Sequence, residues 1–137
     1  MPAKIFRYPF IASLHDIDAA GVMFFALYFQ HAHDAYEAFM AEIGFSLPRL
    51  IRQGTLLPLV HSEADFLLPI RHGEQLTIEI QLERLGSASF TLGYRYLDSR
   101  ERVAARLKTS HVTLNPEDWQ PMALPRALHA VLTEYAA

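Results

Sequence analysis

From Ala26 to Ile43 the chain has neither proline nor glycine. Its apolar or small side chains fall at Tyr28, Phe29, Ala32, Ala35, Tyr36, Phe39, Met40 and Ile43. That spacing predicts one long helix with a broad apolar face, closed by Gly44 as a cap. So wide a face has to be covered, and the rest of the chain shows with what. From Leu56 onward the period shifts toward two. Strands are predicted over 57–68, 75–85, 90–97 and 103–114, with turns at 71–74, 86–87 and 98–101. Leu76, Ile78, Ile80 and Leu82 share one side of the second of these strands. Ahead of the helix, residues 4–12 read as a strand whose Pro9 marks an edge or an irregularity. Short helices are expected at 47–53 and 124–135. One strand, one long helix, then four antiparallel strands predict an α+β chain, its five-stranded antiparallel sheet curled around the helix. No repeat, low-complexity stretch or linker divides it, and 137 residues are read as one domain, 1–137.

Composition narrows the function. The net charge of −3 gives no general attraction to nucleic acid or to an anionic membrane. No apolar run reaches the length of a membrane span, and the N-terminus lacks a signal-peptide core. The chain has no cysteine, which removes disulfides, zinc–thiolate sites and a thiol nucleophile and suits a reducing cytoplasm, the expected location. Of its seven histidines, His31 and His33 point about 200° apart on a helix and do not share an ion. There is no His-Glu-x-x-His motif. No metal site and no cofactor are expected.

The chemistry concentrates in His15-Asp16-Ile17-Asp18-Ala19-Ala20-Gly21, immediately before the long helix. Asp and Asn commonly cap helices, and Asp-x-x-Gly is a common turn, so Asp16 and Asp18 have an ordinary local role available to them. The alternative follows from position. The first turn of a helix carries unpaired N–H groups and partial positive charge, and a carboxylate beside it sets a nucleophile or base against an electrophilic anchor. Among the aromatic residues, most fit the core stripe; Phe24 and Phe25 at the helix start, with Tyr28, are the better candidates for a pocket wall. His33 is placed off the Phe25/Phe29 rows and within reach of an acyl pocket. His61, Glu63 and Asp65 share one strand face, where His61 is a candidate for an acyl hydroxyl and Glu63 a second candidate base. Ser62 lacks a Gly-x-Ser-x-Gly elbow and is not expected to be a nucleophile.

The Asp16-x-Asp18-x-x-Gly21 segment through Tyr28 resembles the signature of hotdog-fold thioesterases of the 4-hydroxybenzoyl-CoA thioesterase type. The order of elements from Phe6 to about Leu114 is similar to the hotdog fold. His33-Asp34-Ala35-Tyr36-Glu37, with Leu57-Pro58-Leu59-Val60-His61 and Asp65-Phe66, resembles the enzymes that hydrolyse 1,4-dihydroxy-2-naphthoyl-CoA. The resemblance implies an acyl-CoA thioesterase without a cofactor, acting on an aromatic or otherwise bulky acyl group. It implies that Asp18 is the catalytic carboxylate, Gly21 completes its turn and the Phe25 backbone N–H holds the thioester oxygen. It also implies a homo-oligomer, dimer or tetramer, with sites at a subunit interface. This chain departs from the pattern at Leu27, where many relatives carry Asn, and at Phe25, where His or Tyr is frequent. Of the basic cluster that binds CoA phosphates in that type, only Arg84 stands near the 86–88 turn, with Arg106 and Lys108 on the next strand. Two other classes stay open: a non-catalytic acyl-CoA or acyl-carrier binding module, and a hydratase or dehydratase of the same fold.

Overall fold

The computed structural model describes residues 2–137. Strand β1 is Phe6–Ile11, followed by a 3-10 turn at Leu14–Asp16, the long helix α1 at Phe25–Glu42 and the short helix α2 at Leu47–Arg52. Strands β2 (Leu59–Phe66), β3 (Gln75–Leu85), β4 (Ser89–Leu97) and β5 (Val103–Val112) follow, and helix α3 spans Arg126–Thr133. The five strands form one antiparallel sheet in the order β1-β3-β4-β5-β2. The expected α+β hotdog architecture is present. No helix among the described residues is long and apolar enough to cross a membrane.

Alternation along β3 and β5 sets the inner face. Leu76, Ile78 and Ile80 of β3, Leu92, Tyr94 and Tyr96 of β4, and Ala105 and Leu107 of β5 are buried against α1. From the helix side, Tyr28, Ala32, Ala35, Tyr36, Phe39 and Met40 fill the same core. Small alanines at 32 and 35 let the sheet approach, and the aromatic residues fill the space around them. The Tyr96 hydroxyl donates to the Tyr28 carbonyl, tying the sheet to the second turn of α1. On the outer face Glu79, nearly buried, lies between Arg7 at 3.1 Å and Arg95 at 3.4 Å.

The two edges are what sequence order left open. Pro9 does lie on an edge strand, where its missing N–H costs no ladder hydrogen bond. The other edge is β2, which pairs with β5 and not with its sequence neighbour β3. The connection between β2 and β3 crosses the end of the sheet with Ile70 fully buried. Its carbonyl accepts the Met23 N–H at 2.7 Å, which pins the start of α1 to the crossing. β2 is also bulged between Leu59 and His61, so that Leu59 and Ser62 both sit opposite inner-face residues of β5 while Val60 is extra.

A stability comparison follows. Phe39 is fully buried and Phe25 is 61% exposed. Phe39→Ala should cost about 3–5 kcal/mol in urea unfolding, whereas Phe25→Ala should cost less than about 1 kcal/mol. Equal losses would contradict the assignment of the buried face.

Candidate active site

The segment between β1 and α1 is a small hairpin. Ile17 and Met23 form an antiparallel bridge, the Asp18 N–H donates to the Val22 carbonyl at 2.9 Å, and Gly21 closes the turn by donating to the Asp18 carbonyl at 3.0 Å. Gly21 has φ +83°, a left-handed conformation that costs a side-chain-bearing residue about 1–2 kcal/mol. Within this turn Asp18 Oδ1 accepts the Ala20 N–H at 2.8 Å and the Val22 N–H at 3.4 Å. The carboxylate is therefore fixed through one oxygen, while none of the hydrogen bonds among the described residues engages Oδ2. Asp18 is half-buried.

Three residues beyond Val22 the helix begins. The Met23 N–H goes to Ile70 and the Phe24 N–H goes to the Asp16 carbonyl at 2.8 Å, so both amides before the helix are used. No intrahelical acceptor exists for the first amides of α1, and no hydrogen bond among the described residues uses the Phe25 N–H. The free donor thus lies at most roughly 11 Å of chain from the residue that pairs with Asp18. Phe24 and Phe25 are exposed, with ring centroids 4.7 Å apart. Next to them Val22, Met23, Tyr28, Phe66, Leu67 and Leu68 line a recess of about 240 Å³. Two of its walls, Tyr28 and Phe66, pack edge to face with ring centroids 4.7 Å apart. Burial pushes the Tyr28 hydroxyl above the ordinary tyrosine range, and Glu74 and Asp18 push it the same way.

Both acids take up local hydrogen bonds, and Asp16 is the more committed. It is 1% exposed, and its Oδ2 accepts the Ser13 N–H at 2.9 Å to complete a capping box. Its Oδ1 lies 3.1 Å from His31 Nε2, whose ring stacks on Phe10 at 4.2 Å. Asp16 therefore ties together the end of β1, the start of α1 and its second turn. Sequence reasoning passed over the Asp16–His31 pair because residues fifteen apart have no periodic signature.

The other candidates are distributed as follows. His33 shares a recess with Phe29 and Tyr36 instead of standing off their row, because residues four apart on a helix share a face. His33 Nδ1 lies 3.4 Å from Glu37. His61 and Glu63 touch each other at 3.1 Å, but register places them on the outer face opposite Ser110 and Lys108, away from α1 of their own protomer. Arg84 pairs with Thr91 at the far end of β3. Nine residues of strand, roughly 30 Å, separate it from the Gln75 end where Asp18 sits. One chain does not bring Arg84, Glu63 and Asp18 to one place. No group of three or more His, Asp or Glu side chains among the described residues could hold a metal ion.

A family model described as the thioesterase-like superfamily matches residues 12–132, from the end of β1 through α3. The chain belongs to that superfamily. It is 39% identical over 118 residues, 82% of its own length and 81% of the relative's, to a 1,4-dihydroxy-2-naphthoyl-CoA hydrolase of Picosynechococcus sp.. It is 33% identical over 118 residues, covering 84% and 86%, to a protein of the same name from Rippkaea orientalis. The crystal structure of a 1,4-dihydroxy-2-naphthoyl-CoA thioesterase from Synechocystis superposes with a TM-score of 0.88 at 28% identity, over 95% of this chain and 96% of that one. In this thioesterase-like chain the matched segment contains the hairpin, the free amide and both recesses.

Among the buried polar groups, His111 carries a pH signature. Burial pushes its imidazole down to about 4, against a partly opposing hydrogen bond to the Leu57 carbonyl, with His33 adding to the fall. An unfolded histidine titrates near 6.5, so between about 6.5 and 4 the unfolded chain binds a proton that the folded chain does not. His111 therefore contributes stability that is complete above about 6.5 and is lost as pH falls toward 4, a change of roughly 3 kcal/mol. Urea unfolding at pH 7 and pH 4.5 should show the loss, and His111→Gln should shrink it. An unchanged pH dependence in the variant would contradict the assignment.

Proposed function

We propose that the chain hydrolyses aromatic acyl-CoA thioesters to the free acid and CoA, with Asp18 as the carboxylate and the Phe25 N–H as the donor to the carbonyl oxygen. The observation that carries the proposal is the hairpin. It anchors Asp18 through Oδ1, leaves Oδ2 unengaged, and ends at an unpaired amide on the positive end of an eighteen-residue helix. A thioester carbonyl held at that amide is polarised where negative charge develops. Asp18 either attacks the carbonyl carbon or takes a proton from the water that does. In the second case the water oxygen bonds to the carbonyl carbon, the carbon–sulfur bond breaks, and the sulfur leaves with the electron pair and takes up the proton that Asp18 removed; in the first, the sulfur leaves as thiolate and takes a proton from solvent, and water then cleaves the acyl–Asp18 anhydride to the free acid and the carboxylate. No side chain beyond Asp18 is required at the reacting carbon. The relatives named 1,4-dihydroxy-2-naphthoyl-CoA hydrolases support an aromatic acyl group and make that thioester the first substrate to assay.

The same reading calls for a homo-oligomer, dimer or tetramer. Phe24, Phe25, Leu59, Val60, Phe66 and Leu67 are exposed along the start of α1 and the β2 edge. An edge strand with that much apolar surface matches pairing with another copy, which could also bring a partner's outer-face residues toward the helix start. A monomer in sedimentation at micromolar concentration would contradict this part.

The test is thiol release from 1,4-dihydroxy-2-naphthoyl-CoA and from benzoyl-, octanoyl- and acetyl-CoA. Wild type should release thiol fastest from the aromatic esters, and Asp18→Asn should lose about 10²-fold or more. Equal rates for wild type and variant would overturn the role of Asp18. Binding without thiol release by wild type would favour the non-catalytic module, and comparable rates on acetyl-CoA would count against an aromatic substrate.

A further inference from the structure

The two groups assigned to the reaction belong to different bodies. The Asp18 carboxylate rides on the hairpin, and the Phe25 N–H is fixed to α1. Their separation is set by whatever couples hairpin to helix. Two backbone ties do so at the helix entrance: the Ile17–Met23 bridge, and the Phe24 N–H on the Asp16 carbonyl at 2.8 Å. A third tie comes from farther along the helix, where His31 Nε2 lies 3.1 Å from Asp16 Oδ1. His31 stands six residues beyond Phe25, about 9 Å along the axis, and helix side chains lean back toward the first turn. Asp16 is thus held at its carbonyl by the helix entrance and at its carboxylate by the second turn of α1.

The pair is buried and isolated. Asp16 is 1% exposed and the His31 side chain 15%, and neither facing atom has another hydrogen-bond partner among the described residues. The second carboxylate oxygen of Asp16 is taken by the Ser13 N–H. His15 Nε2, on an exposed side chain, stands 3.7 Å from Oδ1, beyond hydrogen-bond range. Two lone pairs facing each other at 3.1 Å repel, so His31 Nε2 carries a proton and donates toward Oδ1, off the straight line. The His31 ring has a second contact, stacked on Phe10 of β1 with centroids 4.2 Å apart. His31 therefore does two separable things: it gives a donor to Asp16, and it fills space against β1.

We propose that His31 is a positioning residue for thioester hydrolysis: its donor to Asp16 sets the distance between the Asp18 carboxylate and the Phe25 N–H. The inference rests on the roles proposed above for those two groups. Without the donor, Asp16 Oδ1 is left buried and unpaired, which costs more than the bond was worth. The cost is relieved when the Asp16 side chain turns outward to water or to His15. The Asp16 carbonyl then moves off the Phe24 N–H, and Asp18, two residues on, moves with it. A displacement of about 1 Å between base and anchored carbonyl is enough to cost up to about 10²-fold in rate. The loss falls on kcat, because the spacing matters most where negative charge develops, in the transition state.

Two substitutions separate the donor from the ring. His31→Phe keeps the stack on Phe10 and removes the donor. His31→Gln gives up the stack and returns an N–H at the place of Nε2. With the acyl-CoA that wild type hydrolyses fastest, kcat in His31→Phe should fall about tenfold or more while KM stays within about twofold. His31→Gln should keep kcat within about threefold of wild type. A role in packing alone predicts the opposite order. In the free proteins, hydrogen exchange at the Phe24 amide reads the same geometry with no substrate present. That amide should be protected in wild type and His31→Gln and exchange about tenfold or more faster in His31→Phe. His31→Met, likewise without a donor, takes the place of His31→Phe should that variant not fold, with the same expectations. An unchanged kcat in the donorless variant, a loss in His31→Gln as deep as in His31→Phe, or a loss carried by KM overturns the inference and leaves Asp18 and Phe25 their roles. Should wild type hydrolyse none of the esters, the thioesterase reading falls by itself. Phe24 exchange then decides whether His31 sets the hairpin against the helix, and exchange unchanged in His31→Phe overturns that as well.

Discussion

An α-helix cannot pair its own first amides, and in this chain everything at the candidate site is arranged around that deficit. The hairpin before α1 uses up the Met23 and Phe24 amides, one on the β2–β3 crossing and one on the Asp16 carbonyl, and stops there. Phe25 is the first residue left with a donor and no acceptor. Because α1 is held along its length by the sheet, that donor is fixed in space before any ligand arrives. A helix free to fray would lose the preorganisation that gives such a donor its value toward developing negative charge.

Two acids two residues apart divide the work. Asp16 is buried and structural: its carboxylate caps Ser13 and approaches His31, and its carbonyl receives the helix entrance. Asp18 sits at the turn of the hairpin, half-exposed and held through a single oxygen. Local capping and a role in chemistry are therefore compatible in Asp18, because a carboxylate has two oxygens and the turn takes only one. Gly21 is needed for the turn itself, since only a residue tolerant of positive φ closes it without strain.

The architecture was readable where one face is buried and the other is wet. β3 shows it best: Leu76, Ile78, Ile80 and Leu82 alternate with polar neighbours, and all four are buried on the inner face. The pairing of β2 was not readable, because sequence order does not say whether a strand joins its neighbour or crosses to a distant edge, and the bulge at Val60 disturbs its period. At the site, the Asp18-to-Gly21 turn and the helix start stand out as composition and spacing. The Asp16–His31 pair and the Tyr36 recess depend on residues far apart in sequence. One signal for the recess was present. The inner-face row of β5 passes from Ala105 and Leu107 to Thr109 and His111 while burial continues, and polar side chains at core positions mark either a network or a ligand.

The central claim is that the Phe25 amide is the group that receives the acyl oxygen. It is tested most directly by amide resonances of the uniformly labelled protein on titration with an acyl-CoA analogue in which a methylene group replaces the thioester sulfur, so that the carbonyl is kept and cannot be hydrolysed. The Phe25 N–H resonance should shift downfield and its hydrogen exchange should slow on binding, while amides on the outer face of β2, such as that of Glu63, stay where they are. Saturable binding that leaves the Phe25 amide unmoved and freely exchanging would contradict the account.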